Sequence, residues 1–210
     1  MNGSAAASVK VKICGVRDEA TAITTARAGA DFIGVVFVAS SPRFVEPAMA
    51  MRLAMSIADA GAIPVAVVRL PLDPSTDARR ALEAFPIVQF HGGESAADVS
   101  AFRGWECWKG LTFSPAVAAE WFASGQVSRL VVDGADAGSG ERWDLAGFSA
   151  LEAPMRARCL LAGGLDPANV AEAVRAARPF GVDVSSGVER ARGVKDQALV
   201  RAFIEAVKSA

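Results

Sequence analysis

Two stretches near the C-terminal end decide the fold: Cys159-Leu160-Leu161-Ala162-Gly163-Gly164 and Gly181-Val182-Asp183-Val184-Ser185-Ser186-Gly187. In each, a short apolar run stops at small residues, and the two stops lie about twenty residues apart. Glycine and serine directly after a strand leave backbone N–H groups unscreened. A helix start beyond them adds its positive dipole end, so each stop can hold an anion. Two in tandem form a phosphate cup built from Gly163, Gly164, Ser185, Ser186 and Gly187. In an eightfold β/α barrel such a cup follows the last two strands, beside a short extra helix.

Working back along the chain, short apolar runs recur at 9–13, 32–37, 63–68, 86–90, 106–111, 129–133, 159–162 and 181–184, which gives eight candidate strands. Amphipathic stretches separate them. Asp166 and Pro167 read as the cap and first turn of one helix, with Val170, Ala173, Val174 and Ala177 on one face. Val200, Phe203, Ile204 and Val207 mark another, and Gly29 reads as a helix C-cap feeding a tight turn. Strict alternation with short links predicts an all-parallel α/β sheet, and eight units predict closure as a (β/α)8 TIM barrel. An open doubly wound sheet is the competing architecture, because periodicity alone does not separate the two. The count of eight and the position of the glycine stops favour the barrel. One domain over residues 9–210 is expected, after a loose, disordered tail at 1–8.

The 210 residues are 52% apolar, enough for one substantial core. The net charge is -1 and the Lys and Arg residues are scattered, which argues against a nucleic-acid partner. The longest apolar runs, near 32–39 and 62–68, are too short to cross a bilayer, and the first residues lack the pattern of a secretory signal. Three widely spaced cysteines without CxxC fit neither a disulfide framework nor a zinc site, so a reducing cytoplasm and no metal are expected.

Barrel chemistry sits at the C-terminal ends of strands. Cys14 ends strand one, Arg43 follows strand two, His91 ends strand four, Asp133 ends strand six and Asp183 lies within strand eight. Cys107 and Cys159 sit inside apolar runs and read as small buried fillers, whereas for Cys14 a filler and a reactive thiol are both open. Asp133 closes an apolar run, where a carboxylate needs a raised pKa or donors; its bland alternative is a loop cap. His91, the single histidine, suits a rim or substrate-orienting role better than proton transfer. Arg43 beside Pro42 is either a surface residue or a guanidinium held for a carboxylate.

Taken in order, Lys12-Ile13-Cys14-Gly15, Ser41-Pro42-Arg43, Val88-Gln89-Phe90-His91-Gly92, Leu161-Ala162-Gly163-Gly164-Leu165 with Asn169-Val170, Val182 to Glu189, and Gly193 with Lys195-Asp196 resemble the phosphoribosylanthranilate isomerase family along nearly the whole chain after residue 8. The resemblance implies a barrel without metal or organic cofactor. It implies an Amadori rearrangement of N-(5-phosphoribosyl)anthranilate to 1-(2-carboxyphenylamino)-1-deoxyribulose 5-phosphate, a step of tryptophan biosynthesis. It casts Cys14 as general base, Asp133 as general acid, Arg43 as the clamp on the anthranilate carboxylate and Asp183 as a sugar contact. The chain departs from the family at Ala137-Gly138-Ser139-Gly140 and Trp143-Asp144, at Phe90 in place of leucine, and at Arg69 after strand three.

The thiol would need its pKa brought down from about 8.5, and Lys12 can share its side of the sheet. The sister isomerase of histidine biosynthesis is a rival, but its strand-one aspartate and midway phosphate stop are replaced here by Cys14 and Gly92-Gly93-Glu94. A sugar-phosphate sensor barrel is another, and it would have no use for Cys14 or Asp133. Pattern alone leaves monomer and homodimer equally open.

Overall fold

The computed structural model describes residues 8–72, 76–134 and 145–210. Most of the expected tail and the expected departure at 137–144 therefore lie outside the described residues. Eight parallel strands, β1 (Lys10–Cys14), β2 (Phe32–Val36), β3 (Ile63–Val68), β4 (Ile87–Phe90), β5 (Glu106–Thr112), β6 (Arg129–Asp133), β7 (Cys159–Ala162) and β8 (Gly181–Val184), pair in chain order. β8 returns to β1 with Lys12 opposite Asp183, so the sheet is a closed barrel and the open alternative is excluded. Each strand falls within a residue or so of its apolar run, because strands buried on both faces read as continuous apolar segments.

The helices α1 (Glu19–Arg27), α2 (Pro47–Asp59), α3 (Thr76–Leu82), α4 (Ala96–Ser100), α5 (Pro115–Ser124), α6 (Leu145–Ser149), α7 (Ala153–Arg156), α8 (Val170–Ala177) and α9 (Gln197–Lys208) alternate with the strands. α9 starts where the Asp196 carboxylate accepts from the Ala198 and Leu199 amides, and it buries Val200, Phe203, Ile204 and Val207. α8 buries its expected face but begins later than the Asp166-Pro167 reading placed it. There Asp166 Oδ1 accepts from Ala168 N and Asn169 N, closing a turn of its own before the helix. Gly29, at φ +103°, closes α1 as expected: it follows the cap residue Ala28, and the Gly29 and Ala30 amides donate to the Ala26 and Thr25 carbonyls.

Side chains alternate across the barrel wall. Outward residues such as Ile13, Val35, Phe90 and Leu161 pack under the helices, and Phe90 meets Phe102 edge-on at 4.9 Å. Inward, Phe32, Val65, Ile87, Trp108, Val131 and Leu160 form a separate apolar plug. Trp108 is fully buried and lies edge-to-face on Phe32 at 5.0 Å. The Arg129 guanidinium stacks 3.5 Å from the Phe180 ring beneath it. Toward the C-terminal ends of the strands the interior turns polar, with Lys12, Gln89 and Asp183 buried. This gradient fills one end of the barrel and leaves the other for chemistry.

Candidate active site

A cavity of about 430 Å³ opens at the C-terminal ends of the strands. The structure brings every sequence-selected residue into its lining: Cys14, Arg43, His91, Asp133 and Asp183, and the Gly163-Gly164 and Ser185-Ser186-Gly187 loops. A larger hollow of about 610 Å³ lies outside the barrel mouth beside Phe37, Phe44 and Met51; it has neither a thiol nor a glycine-rich loop.

Cys14 is the last residue of β1, opposite Gly34 on β2. A β-carbon at Gly34 would stand 2.9 Å from the Cys14 Sγ and 3.2 Å from the Lys12 Nζ, so the glycine makes room for both groups. Lys12, two residues before Cys14, faces the same interior and donates to Asp183 Oδ1 at 2.9 Å. Burial works against the Lys12 charge, but Asp183 and Cys14 outweigh it and keep the ammonium firmly protonated. For Cys14, burial pushes the thiol pKa up and the opposing pull of Lys12 does not overcome it. The expected lowering is therefore not met in the free protein, where desolvation dominates and Cys14 rests as a thiol.

Asp133 ends β6, and burial together with the Asp183 charge raises its pKa to about 6. Its Oδ2 stands 3.7 Å from the His91 Nε2. Burial holds His91 below its usual pKa, so the ring is neutral near pH 7. The ring rests over Gly110, where a β-carbon would collide with it. Its buried Nδ1 has no partner among the described residues. A proton there would be an unsatisfied buried donor, so the hydrogen-bond logic assigns it to Nε2, facing Asp133. The His91 carbonyl accepts from Arg69 Nε at 2.8 Å, which gives the unexpected arginine a place at the rim.

Arg43 is held by two parallel hydrogen bonds to Glu189, Nε to Oε1 at 2.7 Å and Nη2 to Oε2 at 2.9 Å. That pairing was missed from sequence, as was the burial of Lys12 against Asp183. Asp183, expected to touch a sugar, spends Oδ1 on Lys12. Gln89, within the Val88–Gly92 motif, is buried in the lining with its Oε1 unpartnered among the described residues.

The glycine stops take the shapes their composition allows. Gly163 and Gly164 have φ of +79° and +68°, a region closed to most side chains, and Asn169 Nδ2 donates to the Gly164 carbonyl at 2.8 Å. A β-carbon at Gly187 would overlap the Leu165 carbonyl, so the β7 and β8 loops meet closely. The Ser185 hydroxyl donates to the Cys14 carbonyl at 3.1 Å and is thereby committed to the scaffold. A 3-10 turn, Ser186–Val188, supplies the short extra helix. It runs into a hairpin of β9 (Glu189–Ala191) and β10 (Val194–Lys195). Among the described residues no three His, Cys, Asp or Glu gather as a metal-ligating group, and no helix is long and apolar enough to cross a membrane.

A family model described as N-(5′-phosphoribosyl)anthranilate (PRA) isomerase matches residues 11–206. The chain belongs to the phosphoribosylanthranilate isomerase family. The phosphoribosylanthranilate isomerase of Hyphomonas neptunium is 42% identical to it over 211 residues, covering 95% of this chain and 97% of the relative. The crystal structure of phosphoribosylanthranilate isomerase from Thermotoga maritima superposes with a TM-score of 0.79 at 30% identity, covering 96% of this chain and all of that one. Another phosphoribosylanthranilate isomerase, in complex with reduced 1-(O-carboxyphenylamino)-1-deoxyribulose 5-phosphate, matches with a TM-score of 0.77 at 28% identity, with 96% and 100% covered.

Proposed function

We propose that this chain is a working phosphoribosylanthranilate isomerase of tryptophan biosynthesis, a single barrel domain over residues 9–210. It converts N-(5-phosphoribosyl)anthranilate to 1-(2-carboxyphenylamino)-1-deoxy-D-ribulose 5-phosphate by an Amadori rearrangement. The observation that carries this reading is one cavity lined by a thiol, a carboxyl group with a pKa near 6 and two glycine-rich loops. Asp133 gives its proton to the furanose ring oxygen; the C1′–O bond breaks and the C1′–N bond becomes an iminium. Cys14, as thiolate, removes the proton from C2′, and the electron pair moves to give an enolamine. C1′ then gains a proton and the C2′ hydroxyl loses one, leaving a ketone. The redox change is internal, C1′ being reduced and C2′ oxidised, so the reaction balances as an intramolecular oxidoreduction without cofactor or metal.

The resting state of Asp133 fits this order. An acid with a pKa near 6 keeps about a tenth of its proton occupancy at pH 7, and the anionic substrate raises that share. Cys14 reacts from its minority thiolate form, its proton released to solvent, and the pull of Lys12 and then of the neighbouring iminium, a full positive charge, favours that form. Arg43 receives the anthranilate carboxylate, His91 and Asp183 line the sugar, and the backbone amides of Gly163, Gly164, Ser186 and Gly187 with the Ser185 loop receive the phosphate. The net charge of -1 without a basic stripe favours a small-molecule substrate over nucleic acid. A cytoplasmic monomer or homodimer is the setting we assign.

Loss of the anthranilate fluorescence of the substrate on adding the protein tests the activity, and growth rescue tests the pathway. Rescue of isomerase-deficient cells without tryptophan is expected. Rescue only without histidine would transfer the chain to the sister reaction, and saturable binding without turnover would make it a sensor.

A further inference from the structure

Glu189 has all four carboxylate lone-pair positions occupied. Its Oε1 accepts from Arg43 Nε at 2.7 Å and Lys195 Nζ at 2.9 Å; its Oε2 accepts from Arg43 Nη2 at 2.9 Å and Gly193 N at 3.0 Å. The side chain is only 4% exposed. Two glycines build the surroundings. Gly15, at φ +81°, would drive any β-carbon into the Arg43 side chain, 3.2 Å from its Cγ, so its bareness lets Arg43 lie across the end of β1 next to Cys14. A β-carbon at Gly193 would stand 2.6 Å from the Pro42 carbonyl, so the β9–β10 turn rests on the loop that carries Arg43.

A guanidinium offers five N–H donors in a rigid plane, and fixing its Nε and Nη2 fixes the direction of the rest. The pair Arg43–Glu189 alone would be neutral and would attract an anion weakly. Lys195, buried and also donating to the Ser185 carbonyl at 2.9 Å, makes the cluster cationic again. We infer that Glu189 and Lys195 are positioning residues for the carboxylate clamp: Glu189 grips one edge of Arg43 so that its Nη1 edge meets the aryl carboxylate, and Lys195 offsets the Glu189 charge. The inference rests on the reading of Arg43 as that clamp.

The test compares two inhibitors, reduced 1-(2-carboxyphenylamino)-1-deoxyribulose 5-phosphate and its analogue lacking the aryl carboxylate, together with kcat and KM. The parent protein should favour the carboxylated ligand by about tenfold or more. Arg43→Ala, Glu189→Gln and Lys195→Met should each lose most of that preference, with KM rising more than kcat falls. Arg43→Ala combined with Glu189→Gln should be no worse than Arg43→Ala alone, the signature of residues acting through one another. Lys195→Arg should keep the preference that Lys195→Met loses; this pair decides the charge role even where Glu189→Gln does not fold. Preference intact in Glu189→Gln, or both ligands weakened equally, overturns the inference alone. Preference intact in Arg43→Ala overturns the clamp reading and the inference with it.

Discussion

In the proposed reaction Asp133 and Cys14 carry opposite demands, and burial answers only one of them at rest. Burial lifts the carboxyl to about 6, as an acid requires, and lifts the thiol as well, which a base does not require. The competent form, carboxylic acid with thiolate, is then a minority whose share stays constant between the two pKa values. The expected kcat/KM profile is a bell whose lower limb falls near pH 6 and whose upper limb belongs to the thiol. A profile flat through pH 5 to 7 would contradict this assignment.

The same shift has a stability consequence. The folded pKa of Asp133 lies above the unfolded value of about 3.9, so folding takes up a proton, and stability falls as pH rises from about 4 to about 6. Asp133→Asn should therefore stabilise the protein at pH 7 by roughly 1 kcal/mol, screened because the carboxyl is a third exposed, and by nothing at pH 3.5. Denaturant titration at the two pH values checks it. For Glu189 the sign is reversed, since Arg43 and Lys195 hold its folded pKa at about 2 despite its burial. Its contribution is present above about pH 4.3 and is lost as pH falls toward 2. Residues at strand ends were legible because the barrel rule says where to look; their partners were not. Arg43 meets a residue 146 positions away and Lys12 one 171 positions away, distances that one sequence does not encode.

At the scale of elements, the β7 and β8 loops meet closely enough to share the phosphate-binding job proposed for them. The glycine conformations, the Asn169 contact to Gly164 and the approach of Gly187 to Leu165 fix where the backbone amides point. Ser186 is exposed at the start of the 3-10 turn, so Ser186→Glu puts a negative charge where the phosphate belongs without entering the core. KM should rise by about tenfold or more while kcat changes less, because like charges at close range cost over 1 kcal/mol. An unchanged KM would count against the cup. The strand ends and the glycine conformations were legible in the sequence, since both are local signals. The sequence erred at the start of α8 because Asp166 caps a turn as readily as a helix, and only the long-range packing of Val170 and Ala173 chooses between them.

Across the whole molecule, the barrel interior divides into an apolar plug and a polar mouth. Trp108, stacked edge-on against Phe32 and tied to Glu106 Oε1 at 2.8 Å, is the largest member of the plug. Trp108→Ala should cost about 3–5 kcal/mol. For a chain of this length the melting temperature should drop by roughly 10 °C. KM should move little, because Trp108 does not line the mouth. Scanning calorimetry with parallel kinetics would separate the two effects; a mutant with native stability would show that the plug is not a principal support.

In the proposed mechanism a thiol and a carboxyl group divide one proton-transfer reaction between them. Steady-state turnover of Cys14→Ser and Asp133→Asn, with affinity for the reduced product analogue measured alongside, tests this most directly. Both variants should lose about two to four orders of magnitude in kcat while binding the analogue nearly as tightly as the parent. A kcat within about tenfold of the parent in either variant would contradict the assignment of that residue.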